Sequence, residues 1–166
     1  MNANAESPKK DGTTLELPSD REILITRSFA APAAVVFEAI TSPEHIRRWW
    51  APRTRGEMTV CEVDLRVGGR WRFMMRTNDG REVGFSGEYF SITAPTEIVQ
   101  SEVFDPFPDS PAHVTVRLRE EGGRTVLTNL SSYPSKEVRD MVVATGMEDG
   151  MRESMRQLAD VVASLR

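Results

Sequence analysis

A chain of 166 residues with 39% hydrophobic and 28% charged residues has the make-up of one ordinary globular domain with a sizeable core. Its net charge of −4 argues against a nucleic-acid or anionic-membrane partner, and no apolar run approaches the length of a membrane span. The single cysteine, Cys61, permits no internal disulfide, and the polar N-terminus has no secretory h-region, so the expected location is cytoplasmic.

Residues 1–18 are polar and aperiodic and read as a disordered tail, leaving 19–166 as a single domain. From Arg21 to Phe29 the chain alternates as a strand, with Ile23, Ile25 and Phe29 on one face. Arg27 falls on that apolar face and breaks it. Pro32 and Ser42-Pro43 then open two short helices in tandem, ending near Trp49 and Trp50.

After Gly56 the pattern is strand-like for about 75 residues, punctuated by Gly68-Gly69, Asn78-Asp79-Gly80, Ala94-Pro95 and Gly122-Gly123. Six strands fit between these signals, and an antiparallel meander is the economical arrangement. With strand one, the sheet has about seven strands. DPFPDSP, residues 105–111, holds three prolines and reads as an exposed loop. Ser135 can cap a last helix running to the C-terminus; roughly 30 residues would reach about 45 Å. Met147, Met151, Met155, Leu158, Val162 and Leu165 mark its apolar face. An α+β fold follows, a curved sheet wrapped around a long C-terminal helix.

Alternation places Cys61, Val63 and Leu65 on one face, as it does Trp71, Phe73 and Met75, and Val83, Phe85 and Tyr89. The arginines of RWRFMMR point the other way, to solvent or to carboxylates on neighbouring strands. Four of the eight methionines lie in the last helix, beside Gly146 and Gly150. Such a helix is either packed tightly with methionine as filler or forms the adaptable wall of a cavity. The two glycines imply a bend or a close approach.

The segments ITRSFAAPAAVVFEAITSPEHIRRWWAP, CEVDLRVGGRWRFMMR, GFSGEYFSI and GMEDGMRESMRQLADVV resemble, in that order, one group. It is the bacterial stand-alone branch of the heat-shock protein 90 ATPase activator homologue family, within the START-like (SRPBCC) superfamily. The resemblance covers residues 21–165 and implies a helix-grip fold with a deep apolar cavity between sheet and long helix. Superfamily members bind lipids, hormones or aromatic polyketides, and some catalyse cyclisation or dehydration. The chaperone-activator name belongs to longer proteins with an additional N-terminal domain, so the short polar tail here argues against a chaperone partner. Members often carry a tryptophan where this helix has Met151, a departure that would enlarge or reshape the cavity.

The expected function is binding of a small apolar or amphipathic molecule. The expected wall is Trp71, Phe73, Met75, Phe85, Tyr89, Met147, Met151 and Met155, with Trp49 and Trp50 at the mouth. The alternatives are a cyclase- or dehydratase-type enzyme and a chaperone-interaction module. No cofactor is expected, and neither His45 nor His113 stands at metal-ligand spacing. Cys61 reads as a buried, inert side chain. Candidate catalytic groups are Arg27, Glu102 and Tyr89, Glu102 facing inward if Ile98 and Phe104 do; twist would otherwise carry Arg27 and Glu102 to water. An edge strand needs cover, and homodimerisation is one way to supply it.

Overall fold

The computed structural model describes residues 12–166. Its strands are β1 (Thr13–Glu16), β2 (Glu22–Phe29), β3 (Gly56–Val63), β4 (Arg70–Thr77), β5 (Glu82–Thr93), β6 (Glu97–Phe104), β7 (Ala112–Glu121) and β8 (Arg124–Ser132). The helices are α1 (Ala33–Thr41), α2 (Pro43–Ile46), α3 (Lys136–Ala144) and α4 (Met147–Leu165). All eight strands form one antiparallel sheet in the order β1-β2-β8-β7-β6-β5-β4-β3. The expected meander is therefore present from β3 to β8. The tandem helices α1 and α2 carry the chain from β2 across to the far edge.

Two expectations need correction. The sheet has eight strands rather than seven, because Thr13–Glu16, assigned to a disordered tail, pair with β2 (Leu15 opposite Ile25). Arg152, buried on α4, holds this short strand by donating to the Thr13 carbonyl at 2.6 Å. The remainder of that expected tail, residues 1–11, lies outside the described residues. Second, the C-terminal helix is not continuous. Ser135 does cap α3, accepting from the Val138 amide, but the helix ends at Ala144 and Gly146 turns left-handed with φ 80°. Glycine adopts that conformation without a Cβ penalty, so the chain re-aims here. The second helix, α4, spans 19 residues, about 28 Å. Gly150 fulfils the other half of the expectation: it is buried, with Pro52 and Arg55 lying over it.

Register fixes the two faces of the sheet. Arg70 is opposite Glu88, Arg76 opposite Glu82 and Arg117 opposite Glu97, all on the outer face. Arg117 bonds Glu97 at 2.7 Å, and Arg72 grips Asp105 through two nitrogens at 2.8 Å each. These exposed pairs are worth tenths of a kcal/mol each. The expected inward run Cys61, Val63, Leu65 stops early, because β3 ends at Val63 and Leu65 turns out to solvent.

The core sits at one end of the molecule. Phe29, Val36, Ala39, Leu118, Leu127 and the C-terminal half of α4 (Leu158, Val161, Val162) interlock there. Leu158 and Val36 are 0% exposed. Trp71, Tyr89 and Ile98 form a second cluster on the β4–β6 side, bridged to the first by Phe37 and Val116. The backbone of α4 comes close to β1, β2, α1 and α3.

Candidate functional site: the inner face of the sheet

The N-terminal half of α4 is packed differently from its C-terminal half. Met147, Met151 and Met155 keep part of their surface accessible, whereas Leu158, Val161 and Val162 are sealed. On the sheet, the inner-face positions show the same division. Ile23 and Phe29 are buried, while Ile25 between them is only partly so. Asn129, Gln100, Phe73 and Phe85 are likewise inward-facing and partly accessible. Close packing would close such side chains completely.

An aromatic group lines the β4–β6 side. Trp50 stands edge-on to Phe73 (5.4 Å between ring centres) and to Phe85 (5.6 Å), and Phe85 stacks on Phe104 at 4.9 Å. Edge-to-face geometry places a positive ring edge on a negative ring face. The loop bearing Trp50 is tied down by α4. Gln157 donates to the carbonyls of Trp49 and Ala51, both at 2.9 Å, and accepts from the Arg53 amide at 3.0 Å. Ser154 donates to the Trp50 carbonyl at 2.8 Å, and Glu153 accepts from the Thr54 amide. This polar stripe on α4 was not singled out from the sequence. The only hint is the spacing of Gly150, Ser154, Gln157 and Val161, a second helical face beside the methionines.

The expected wall residues fall into three groups. Trp50, Phe73 and Phe85 form the aromatic group described above; Met75, Met147 and Met151 keep accessible surface, and Met155, also partly accessible, packs against the main core. Trp71 and Tyr89, 4% and 5% exposed, are buried in the second cluster with Ile98. Trp49 turns instead into the main core, its indole N–H donating to the Ala39 carbonyl at 2.9 Å.

The candidate ionisable groups do not converge. Glu102 faces inward, between Gln100 and Phe104 on the inner side of β6, and it has no hydrogen-bond or ion-pair partner among the described residues. Burial pushes its carboxyl up to about 7. Tyr133, just beyond β8, has its phenol raised by burial and by the nearby Glu102 charge. The Tyr89 phenol is also raised, chiefly by burial. Arg27 lies elsewhere. Its guanidinium donates to Thr13 at 3.0 Å and sits 5.7 Å from the Phe29 ring centre. It lines an open, charged cleft of about 590 Å³ with Arg53, Glu153, Arg156 and Asp160. On β8, Arg27 is opposite Leu127, and Glu102 pairs through Ala112 with a position beyond Ser132. Six residues along the strand separate them, roughly 20 Å. They cannot act on one reacting atom.

Cys61 is buried with its thiol raised by desolvation, as expected of an inert cysteine. Among the described residues no group of three metal-ligating side chains occurs, and no helix is long and apolar enough to cross a membrane.

A curved antiparallel sheet closed by a C-terminal helix, with an aromatic inner face, defines a helix-grip protein of the START-like class. The family model described as "Activator of Hsp90 ATPase homolog 1-like protein" matches residues 30–163, and the chain belongs to this family. Solved relatives agree. A protein from Rhodobacter sphaeroides is 29% identical with a TM-score of 0.84, over 92% of this chain and 99% of its own. One from Arthrobacter aurescens is 26% identical (TM-score 0.76), with 87% of each chain covered. An AHSA1-like protein from Aeromonas hydrophila is 25% identical (TM-score 0.63), over 86% of this chain and 95% of its own. No curated protein matches.

Proposed function

We propose that this protein binds a small apolar or amphipathic molecule between the inner face of β4–β6 and the N-terminal half of α4, within a single cytoplasmic domain. The observation carrying this reading is the contrast along α4. Leu158 is sealed, while Met155 and Met151, one and two turns earlier on the same helix, keep accessible surface, as do the inward-facing aromatics Phe73 and Phe85. Methionine's flexible, polarizable side chain suits a wall that adapts to an occupant. Trp50, clamped by Gln157, closes the region from the α2 side.

Native mass spectrometry of freshly purified protein tests this. A stoichiometric small-molecule adduct, displaced when Met151→Trp fills the space, is the expected result. Identical bare masses for both proteins, under conditions that preserve the fold, count against it.

One observation favours a second reading. A carboxyl held near 7 can exchange protons at neutral pH, so Glu102 could serve as the acid or base of a cyclase- or dehydratase-type reaction on the same molecule. Its mark would be chemical conversion of the adduct, abolished in Glu102→Gln. The remoteness of Arg27 leaves that reading resting on Glu102 and its tyrosine neighbours. Nothing in the site favours the chaperone-module alternative.

A further inference from the structure

One row of the inner face holds an unsatisfied indole N–H and a partly accessible carboxyl. The Trp71 indole N–H is fully buried and makes no hydrogen bond. Register sets Trp71 opposite Gly87. On the next strand, Ser86 pairs with Val103 and Tyr89 with Gln100, so Gly87 in turn stands opposite Glu102. Beside this row the Glu88 amide donates to the Ser101 hydroxyl at 3.0 Å.

Gly87 makes the arrangement possible. A Cβ there would collide with the Ser101 carbonyl and with the Trp71 indole, 2.5 Å from its Nε1. The indole therefore lies over Gly87, about one strand spacing, roughly 5 Å, from the Cα of Glu102. An unsatisfied donor and a partly accessible carboxyl thus flank a residue with no side chain. A buried, unsatisfied donor such as the indole is costly unless something supplies its bond. The indole is fixed by Phe73, Tyr89 and Ile98 around it. The longer, more flexible Glu102 side chain is the half of the pair that can swing aside to admit a ligand atom.

We propose that Trp71 and Glu102 form the polar recognition point of the cavity, and that its ligand is an apolar, ring-bearing alcohol or phenol. A single hydroxyl group accepts from the indole N–H and donates to the carboxyl, satisfying the indole and engaging Glu102 at once. A carboxylate ligand would repel ionised Glu102, and an ammonium would leave Trp71 without an acceptor. The aromatic edges of Trp50, Phe73 and Phe85 beside this row suit a flat, ring-containing remainder. This inference rests on the cavity reading above.

The test is paired titration with 2-naphthol and naphthalene, which differ by one hydroxyl, followed by ¹H–¹⁵N spectra of the tryptophan indoles. The naphthol is expected to bind about tenfold tighter, the worth of one good hydrogen bond, and to shift the Trp71 indole signal strongly. Glu102→Leu and Trp71→Phe should each abolish the advantage, and Glu102→Gln, which still accepts, should keep it. Equal binding of both compounds, with wild type and Glu102→Leu alike, overturns the polar point and leaves the cavity standing. Binding of neither, with the Trp50 and Trp71 signals unmoved, overturns both.

Discussion

Replacing Glu102 by glutamine should stabilise the protein, and by an amount that depends on pH. Burial moves this carboxyl from 4.5 to about 7 with no partner to compensate. Because the folded value lies above the unfolded one, the folded state holds the proton more tightly. The cost to folding is absent below pH 4.5, grows as pH rises, and is complete above 7. At 1.36 kcal/mol for each tenfold change in proton affinity, it reaches about 3 kcal/mol. Glutamine has nearly the same shape and carries no charge to bury. Urea denaturation followed by circular dichroism should therefore show Glu102→Gln more stable by about 1 kcal/mol at pH 5 and about 3 kcal/mol at pH 8. The exposed carboxylates Asp79, Asp105 and Asp140 have lowered values and titrate below this range, and they cancel in the difference. The Tyr133 phenol, raised by burial, stays neutral throughout. A gap that is the same at pH 5 and pH 8 would refute the reasoning, since it would place the carboxyl in water.

Three further substitutions probe the packing. Leu158→Ala, at a fully sealed position, should cost about 2–5 kcal/mol in urea denaturation, and Met151→Ala, facing accessible space, under about 1 kcal/mol. Comparable losses at the two sites would contradict the contrast along α4. Gln157→Leu leaves the Trp49 and Ala51 carbonyls and the Arg53 amide without their partner. It should cost about 2–4 kcal/mol and alter tryptophan fluorescence as Trp50 loosens; an unchanged spectrum would mean that the clamp does not position Trp50. Gly87→Ala forces a Cβ against the Ser101 carbonyl and should lower stability by about 1–3 kcal/mol, read as a fall in thermal midpoint.

The sheet was legible because its turns are written in glycine and proline and its strands alternate cleanly, as RWRFMMR does with arginines out and aromatics in. The short strand β1 was not. TTLE looks like tail, and only the distant Arg152 on α4 and the edge of β2 make it a strand. The break at Gly146 left a partial signal, since the two glycines implied a bend or a close approach without saying which glycine does which. Within the site, alternation identified Phe73 and Phe85 as inward-facing and left Glu102 conditional on Ile98 and Phe104. It could not separate Trp49 from Trp50, which are adjacent in the turn after α2 yet pack into the main core and against Phe73 and Phe85 respectively. Nor could it reveal that Trp71 and Glu102 share a row, because that depends on pairing between β4, β5 and β6.

The central claim is that accessible space lies between the aromatic inner face and the methionines of α4. A crystal of this protein pressurised with xenon tests it directly, because xenon enters dry apolar cavities. The account predicts xenon density bordered by Phe73, Phe85, Met151 and Met155, and none at that position in Met151→Trp. Side chains closed upon one another with no bound xenon in the wild-type protein would contradict it.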